Sequence, residues 1–197
     1  MKNNLMIRGV GWVCDGMLKA RFPEKSMRKK VLAEYRAVMD RAADIGSDNN
    51  LLTSYALTGY FIAMNRNTGL SPEENCQILD DGIRGSRLVK LAMGDADSYF
   101  SEKKMKFRRE WSKRTHERKY KNDWVVDIVE KGDGYEFGFN YLECGDCKLC
   151  RDEGCPELTK YMCRLDYTLV EIMGIRLHRT KVLSEGADCC DFRFSRK

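Results

Sequence analysis

Apolar residues recur along the first half of this chain at three- and four-residue spacing, and along the second half they alternate. After an ambiguous opening at residues 1–20, read as a weak helix, Met27, Val31, Tyr35, Val38, Met39 and Ala42 mark an amphipathic helix that runs from Pro23 to a stop at Gly46. Ser47–Asn50 reads as a turn with capping residues. A second, more apolar helix carries Leu51, Leu52, Tyr55, Ala56, Phe61, Ile62 and Met64 and ends near Gly69. Ser71-Pro72-Glu73-Glu74 is a capping box with proline in the first turn; it opens a third helix through Ile78, Leu79, Ile83, Leu88 and Leu91, broken at Gly94 and Asp95. A further helix is expected over Asp97–Lys119.

The period then changes. Trp124–Val129 is rich in β-branched and aromatic residues, Lys131–Gly134 holds a Gly-Asp-Gly turn, and Tyr135, Phe137, Phe139 and Tyr141 alternate strictly. A cysteine-rich loop follows, then a helix from Pro156 to Met173 with Leu158, Met162, Leu165, Leu169 and Ile172 on one face. Gly174 suits the left-handed position past a helix end. Two strand-like runs close the chain, Ile175–Leu183 and Cys190–Phe194, around a turn at Glu185–Asp188. The expected architecture is α+β, with a helical N-terminal half packed on a roughly four-stranded, mostly antiparallel sheet and one C-terminal helix. Residues 1–197 read as one domain, 1–121 mainly helical and 122–197 holding the sheet, the cysteine-rich loop and the last helix.

Charge alters this picture in one place. Lys103–Lys121 carries ten Lys and Arg against Glu110 and Glu117, in a chain whose net charge is +5. Met105, Phe107, Trp111 and Tyr120 interleave with those charges, a mixture that also suits nucleic acid. Helical spacing explains the aromatics without a ligand, so a solvated surface helix with inward-packed aromatics is expected, and no specific nucleic-acid partner. The run Leu5–Val13 is short and interrupted by Arg8 and two glycines, neither signal peptide nor membrane span. An odd count of nine cysteines without a secretory signal reads as free thiols in a reducing cytoplasm. Oligomeric state stays open, a homo-oligomer included.

Seven of the nine cysteines lie between Glu143 and Phe194. Cys144-x-x-Cys147-x-x-Cys150-x-x-x-x-Cys155 has a spacing that could hold zinc or an iron–sulfur cluster, although its last gap is one residue longer than in a bacterial ferredoxin run. The alternative is a loop of partly buried, inert thiols near a pocket. Cys163 and Asp166 stand three apart on one helix face, so thiol and carboxylate can share a cavity. Alternation along the last strand sends Cys190, Phe192 and Phe194 to one side and Cys189, Asp191 and Arg193 to the other. His116 and His178 have no evident partners and read as structural or exposed.

The ending EGADCCDFRF, the Arg179-Thr180-Lys181 run before it and the Cys163…Asp166 pair resemble the L-2-amino-thiazoline-4-carboxylic acid hydrolase family, with the specific likeness over Asp123–Arg196. The helix–strand–turn–strand order is also similar to the 4-vinyl reductase type of small-molecule-binding domain. The family resemblance implies a hydrolase, acting on a small molecule without a cofactor, that opens a cyclic amidine to an N-carbamoyl cysteine. It implies catalytic roles for Cys144, Cys163, Asp166 and Cys190, and cations for the substrate carboxylate from Arg179, Lys181 or Arg193. A non-enzymatic sensor or carrier on the same fold, and a metal- or cluster-binding module, are the alternative readings.

Overall fold

The computed structural model describes residues 4–47 and 49–197. Its first seven helices are α1 (Leu5–Arg21), α2 (Lys25–Arg41), α3 (Leu52–Asn67), α4 (Pro72–Gly85), α5 (Arg87–Met93), α6 (Ala96–Tyr99) and α7 (Glu102–Thr115). Strands β1 (Val125–Val129) and β2 (Phe137–Glu143) follow, then α8 (Gly145–Asp152), α9 (Thr159–Ile172), β3 (Ile175–His178) and β4 (Cys190–Arg196). The strand order is β1-β2-β4-β3 and every pairing is antiparallel.

α3 is the centre of the helical half. Tyr55, Tyr60, Phe61, Ile62 and Met64 on it are fully buried, and α1, α2, α4 and α8 pack around it. Close approach is built in: a Cβ on Gly59 would lie 2.5 Å from the Met39 sulfur of α2. Polar atoms in this apolar shell are few and placed, among them Thr58.

The aromatic alternation on β2 makes the other part of the core. Phe137 pairs with Phe194 and Phe139 with Phe192 across β2 and β4, while Tyr99, Phe100 and Trp111 stack on that face from α6, the α6–α7 junction and α7. One charge of the basic segment also belongs to this layer. The Arg108 guanidinium lies 4.0 Å from the Tyr99 ring centroid and 4.7 Å from that of Phe137, and donates to the Tyr99 carbonyl at 2.6 Å. Met105 and Trp111 are buried as expected, but Phe107 is exposed; Lys103, Lys104, Lys106, Lys113 and Arg114 are exposed too.

Several boundaries differ from the sequence expectation, each for a local reason. The helix expected over Asp97–Lys119 is two, because Ser101 caps a fresh start by accepting from the Lys104 N–H. Ser86 splits α4 from α5 in the same way. The strand expected over Ile175–Leu183 stops at His178, and Leu183–Glu185 forms a 3₁₀ turn ending at Gly186, whose φ is +90°. The cysteine-rich loop is mostly helix: Cys144 is the N-cap of α8, and Gly154, at φ +72°, lets the Cys155 N–H bond back to the Cys150 carbonyl at 2.8 Å. Asp48 of the expected turn, and residues 1–3 of the expected first helix, lie outside the described residues.

Candidate active site

The motif residues fold toward one cavity of about 70 Å³, walled by α3, α8, α9 and the ends of β2 and β4. α9 supplies Cys163 and Asp166, one turn apart, at the border of its buried face. β4 begins at Cys190, and the residue after β3, Arg179, reaches across to α9. Cys144, from the cap of α8, completes the thiols of the wall. Its volume is far below the ~300 Å³ that begins the drug-sized range, so it suits a compact ligand.

Asp191 explains why the Arg-Thr-Lys run and the Cys-Asp-Phe run occur together. Its carboxylate accepts from the Thr180 N–H at 2.8 Å, the Thr180 hydroxyl at 2.6 Å and the Lys181 N–H at 2.5 Å. That clamp ties the loop after β3 to the start of β4. It leaves Arg179 turned inward, 4% exposed, with its guanidinium 4.8 Å from the Phe192 ring centroid. Arg179 donates from one amino nitrogen to Asp166 Oδ2 at 3.0 Å and from the other to the Cys163 carbonyl at 3.0 Å. Its Nε has no partner.

Two carboxyl groups face this cavity, and both are held above their usual range. Asp166 lines the cavity and keeps 34% of its side-chain surface accessible. Burial pushes its pKa up to about 7, against the lowering effect of Arg179. Asp146 on α8 accepts from the Ser54 hydroxyl at 2.8 Å and the Thr58 hydroxyl at 2.9 Å, both from α3. Burial raises it to about 6, and the two hydroxyl bonds offset part of that rise.

The thiols are neutral. Burial first, and the Asp166 charge second, push Cys163 up to about 12; its sulfur lies 3.7 Å from the Ser184 hydroxyl. Burial raises Cys190 to about 11, although the Leu183 N–H donates to its sulfur at 3.2 Å.

Cys163, Asp166, Cys190, Cys144 and Arg179 therefore share one cavity, whereas Lys181 and Arg193 do not reach it. Lys181 is exposed and pairs with Asp188 at 3.0 Å. Arg193 sits on the opposite face of β4, as strand alternation requires, and donates to the Phe139 and Phe192 carbonyls over the Tyr135 ring. Cys189 is buried as well as Cys190. His116 pairs with Asp127 at 2.8 Å, and neither it nor His178 lines the cavity. Cys144, Cys147, Cys150 and Cys155 are divided between the two ends of α8, and among the described residues no group of three or more His, Cys, Asp or Glu side chains is arranged to hold a metal ion.

Asp146, Ser54 and Thr58 belong to the site, yet the sequence reading passed them by. A signal existed for the hydroxyls: Ser54 and Thr58 stand four apart within the apolar part of α3, so both face the same buried partner. Asp146 gives no such signal, because the Cys144–Cys155 run reads as a loop in sequence and its helical register appears only in the fold.

The molecule is an α+β protein whose sheet and helical half enclose a small acidic, thiol-lined cavity with a buried arginine. The L-2-amino-thiazoline-4-carboxylic acid hydrolase family matches residues 49–194, and the chain belongs to that family. The match begins at α3, so it takes in Ser54 and Thr58, well ahead of the Asp123 start read from the motifs alone. No curated protein and no solved structure matches the chain. Among the described residues no helix is long and apolar enough to cross a membrane.

Proposed function

We propose that this hydrolase opens the ring of a 2-amino-thiazoline-4-carboxylate, giving an N-carbamoyl cysteine, with water as the attacking group. The observation that carries the reading is the convergence of two high-pKa carboxyls and Arg179 on one small cavity. The substrate presents an amidine and a carboxylate, which need an anion and a cation. Asp146, mostly ionised at neutral pH, pairs with the amidine; the free N–H groups of Arg179, the cation lining the cavity, meet the substrate carboxylate.

Asp166 then takes a proton from water as the water oxygen bonds to the amidine carbon. The carbon–sulfur bond of the ring breaks, the remaining O–H proton passes to the ring nitrogen as the carbonyl of the carbamoyl group forms, and the leaving sulfur picks up the proton held by Asp166. One water is consumed and no other atom enters or leaves.

The magnitudes favour water over a cysteine nucleophile. With pKa values of about 12 and about 11, Cys163 and Cys190 exist as thiolate in on the order of one molecule in 10⁵ and 10⁴ at pH 7. A leaving thiolate of ordinary pKa, ~8.5, would not draw a proton from either. Their role is to donate hydrogen bonds to the sulfur as it departs.

Incubation with 2-amino-thiazoline-4-carboxylate tests the reading. The expected product is heavier than the substrate by one water and carries one free thiol per turnover. Tight binding with no thiol release would overturn it and favour the carrier or sensor reading.

A further inference from the structure

α8 carries a pair of cysteines at each end, and its two caps bring each pair together. Cys144 is the N-cap and Cys147 the third helical residue. The N-cap and that third residue stand over the same first turn, and the two thiols lie close enough there for each to shift the other's titration, a juxtaposition from which a disulfide can form. At the other end, Gly154 closes the helix with the Cys155 N–H on the Cys150 carbonyl, a cap whose flanking side chains touch. None of these four is in a disulfide.

The two pairs differ in accessibility and in field. Cys144 and Cys147 are both half-buried and Cys144 lines the cavity, whereas the second pair joins a half-buried Cys155 to a wholly buried Cys150 and neither lines the cavity. The first pair stands where the helix N–H groups favour an anion, the second where the helix carbonyls oppose one.

We propose that Cys144 and Cys147 are a redox-active dithiol, converted by a hydroperoxide to a disulfide in the cavity wall, a modification site separate from the hydrolytic chemistry. Cys147 is the attacking sulfur. It stands inside the first turn of α8, where the helix N–H groups favour a thiolate, and the neighbouring Cys144 thiol lowers its pKa further. The Cys147 thiolate attacks one oxygen of hydrogen peroxide; the O–O bond breaks, a sulfenic acid forms, and hydroxide leaves to become water with the proton Cys147 had shed. The Cys144 sulfur then attacks the Cys147 sulfur. The S–S bond forms, the S–O bond breaks, and the departing oxygen leaves as water with the Cys144 proton. Two thiols lose two electrons and one peroxide becomes two waters.

Tryptic mapping tests this on the full chain, because Cys144 and Cys147 lie in one peptide, Gly132–Lys148, while Cys150 and Cys155 lie in Leu149–Arg151 and Asp152–Lys160. Reduced protein is treated with one equivalent of hydrogen peroxide, alkylated and digested. The expected result is that Gly132–Lys148 loses two hydrogen masses and its alkylation, reversibly with dithiothreitol, while the other two peptides stay alkylated. In Cys147→Ser, Cys144 of that peptide stays open to alkylation. A first disulfide joining Leu149–Arg151 to Asp152–Lys160 would overturn the proposal. So would a Gly132–Lys148 peptide that keeps both thiols or gains oxygen on each without the bridge.

Discussion

Asp146→Asn should turn a pH-dependent cost of this fold into a constant. In the unfolded chain the carboxyl titrates near its ordinary 3.8, and in the folded protein near about 6. Between those values the folded protein holds a proton that the unfolded chain has released. Folding is therefore favoured at low pH, and stability falls as pH rises through the window, levelling above about 6. Some two pH units at 1.36 kcal/mol each make a loss of about 3 kcal/mol. The asparagine has no charge to bury, and its oxygen still accepts from Ser54 or Thr58, so whatever it costs in packing is the same at every pH. About 2.4 kcal/mol of that loss falls between pH 4 and pH 7.5, because the unfolded carboxyl is already partly ionised at pH 4; at roughly 2–4 °C per kcal/mol for a chain of this size, the melting temperature of the variant relative to wild type should rise by about 5–10 °C over that interval. Thermal melts of both proteins at the two pH values measure it. A difference in melting temperature that is the same at both pH values would refute the claim that Asp146 is a carboxyl buried without a cation.

Three further outcomes are expected. Arg179→Met removes the cation that holds Asp166 down, so the acid limb of the kcat/KM profile, near pH 7 in the wild type, should move to higher pH; an unmoved limb would separate Arg179 from Asp166. Gly138→Ala puts a Cβ 2.3 Å from the Phe192 carbonyl oxygen, so it should force β2 and β4 apart and cost on the order of 1–3 kcal/mol or more in a denaturant melt. The exposed lysines of α7 should give duplex DNA only weak, salt-sensitive attraction; sub-micromolar binding at physiological salt, lost on reversing Lys113 and Arg114 to glutamate, would contradict that.

The helices and strands were legible where side-chain period alone decides them: the α4 capping box at Ser71–Glu74, the alternation of Phe137, Phe139 and Tyr141 on β2 and the apolar stripe of α9 appear where the residues put them, whereas Tyr135 falls outside the strand, bridged to Gly132 in the turn. What was not legible depends on partners distant in sequence. α8 is short, and its buried face, Leu149 with Cys150, is recognisable only once α3 is seen to cover it. Arg179 and Arg193 look equivalent as cations near the last strands. One is drawn inward because Asp191 clamps the residues that follow it, and the other is sent to the opposite face by the pleat of β4. Asp166 was legible as a neighbour of Cys163, but its raised pKa comes from the depth of the cavity, which no spacing encodes.

In the proposed reaction a carboxylate, not a thiolate, starts the chemistry. The most direct test of this is the rate of thiol release from 2-amino-thiazoline-4-carboxylate at pH 8 by wild type, Asp166→Asn and Cys163→Ala, each first shown to be folded by circular dichroism. Asp166→Asn should lose at least ~10²-fold in kcat/KM, the low end for removing a positioned acid–base group, and Cys163→Ala should keep activity within ~10-fold of wild type. An inactive Cys163→Ala beside an active Asp166→Asn would contradict this and make the thiol the nucleophile.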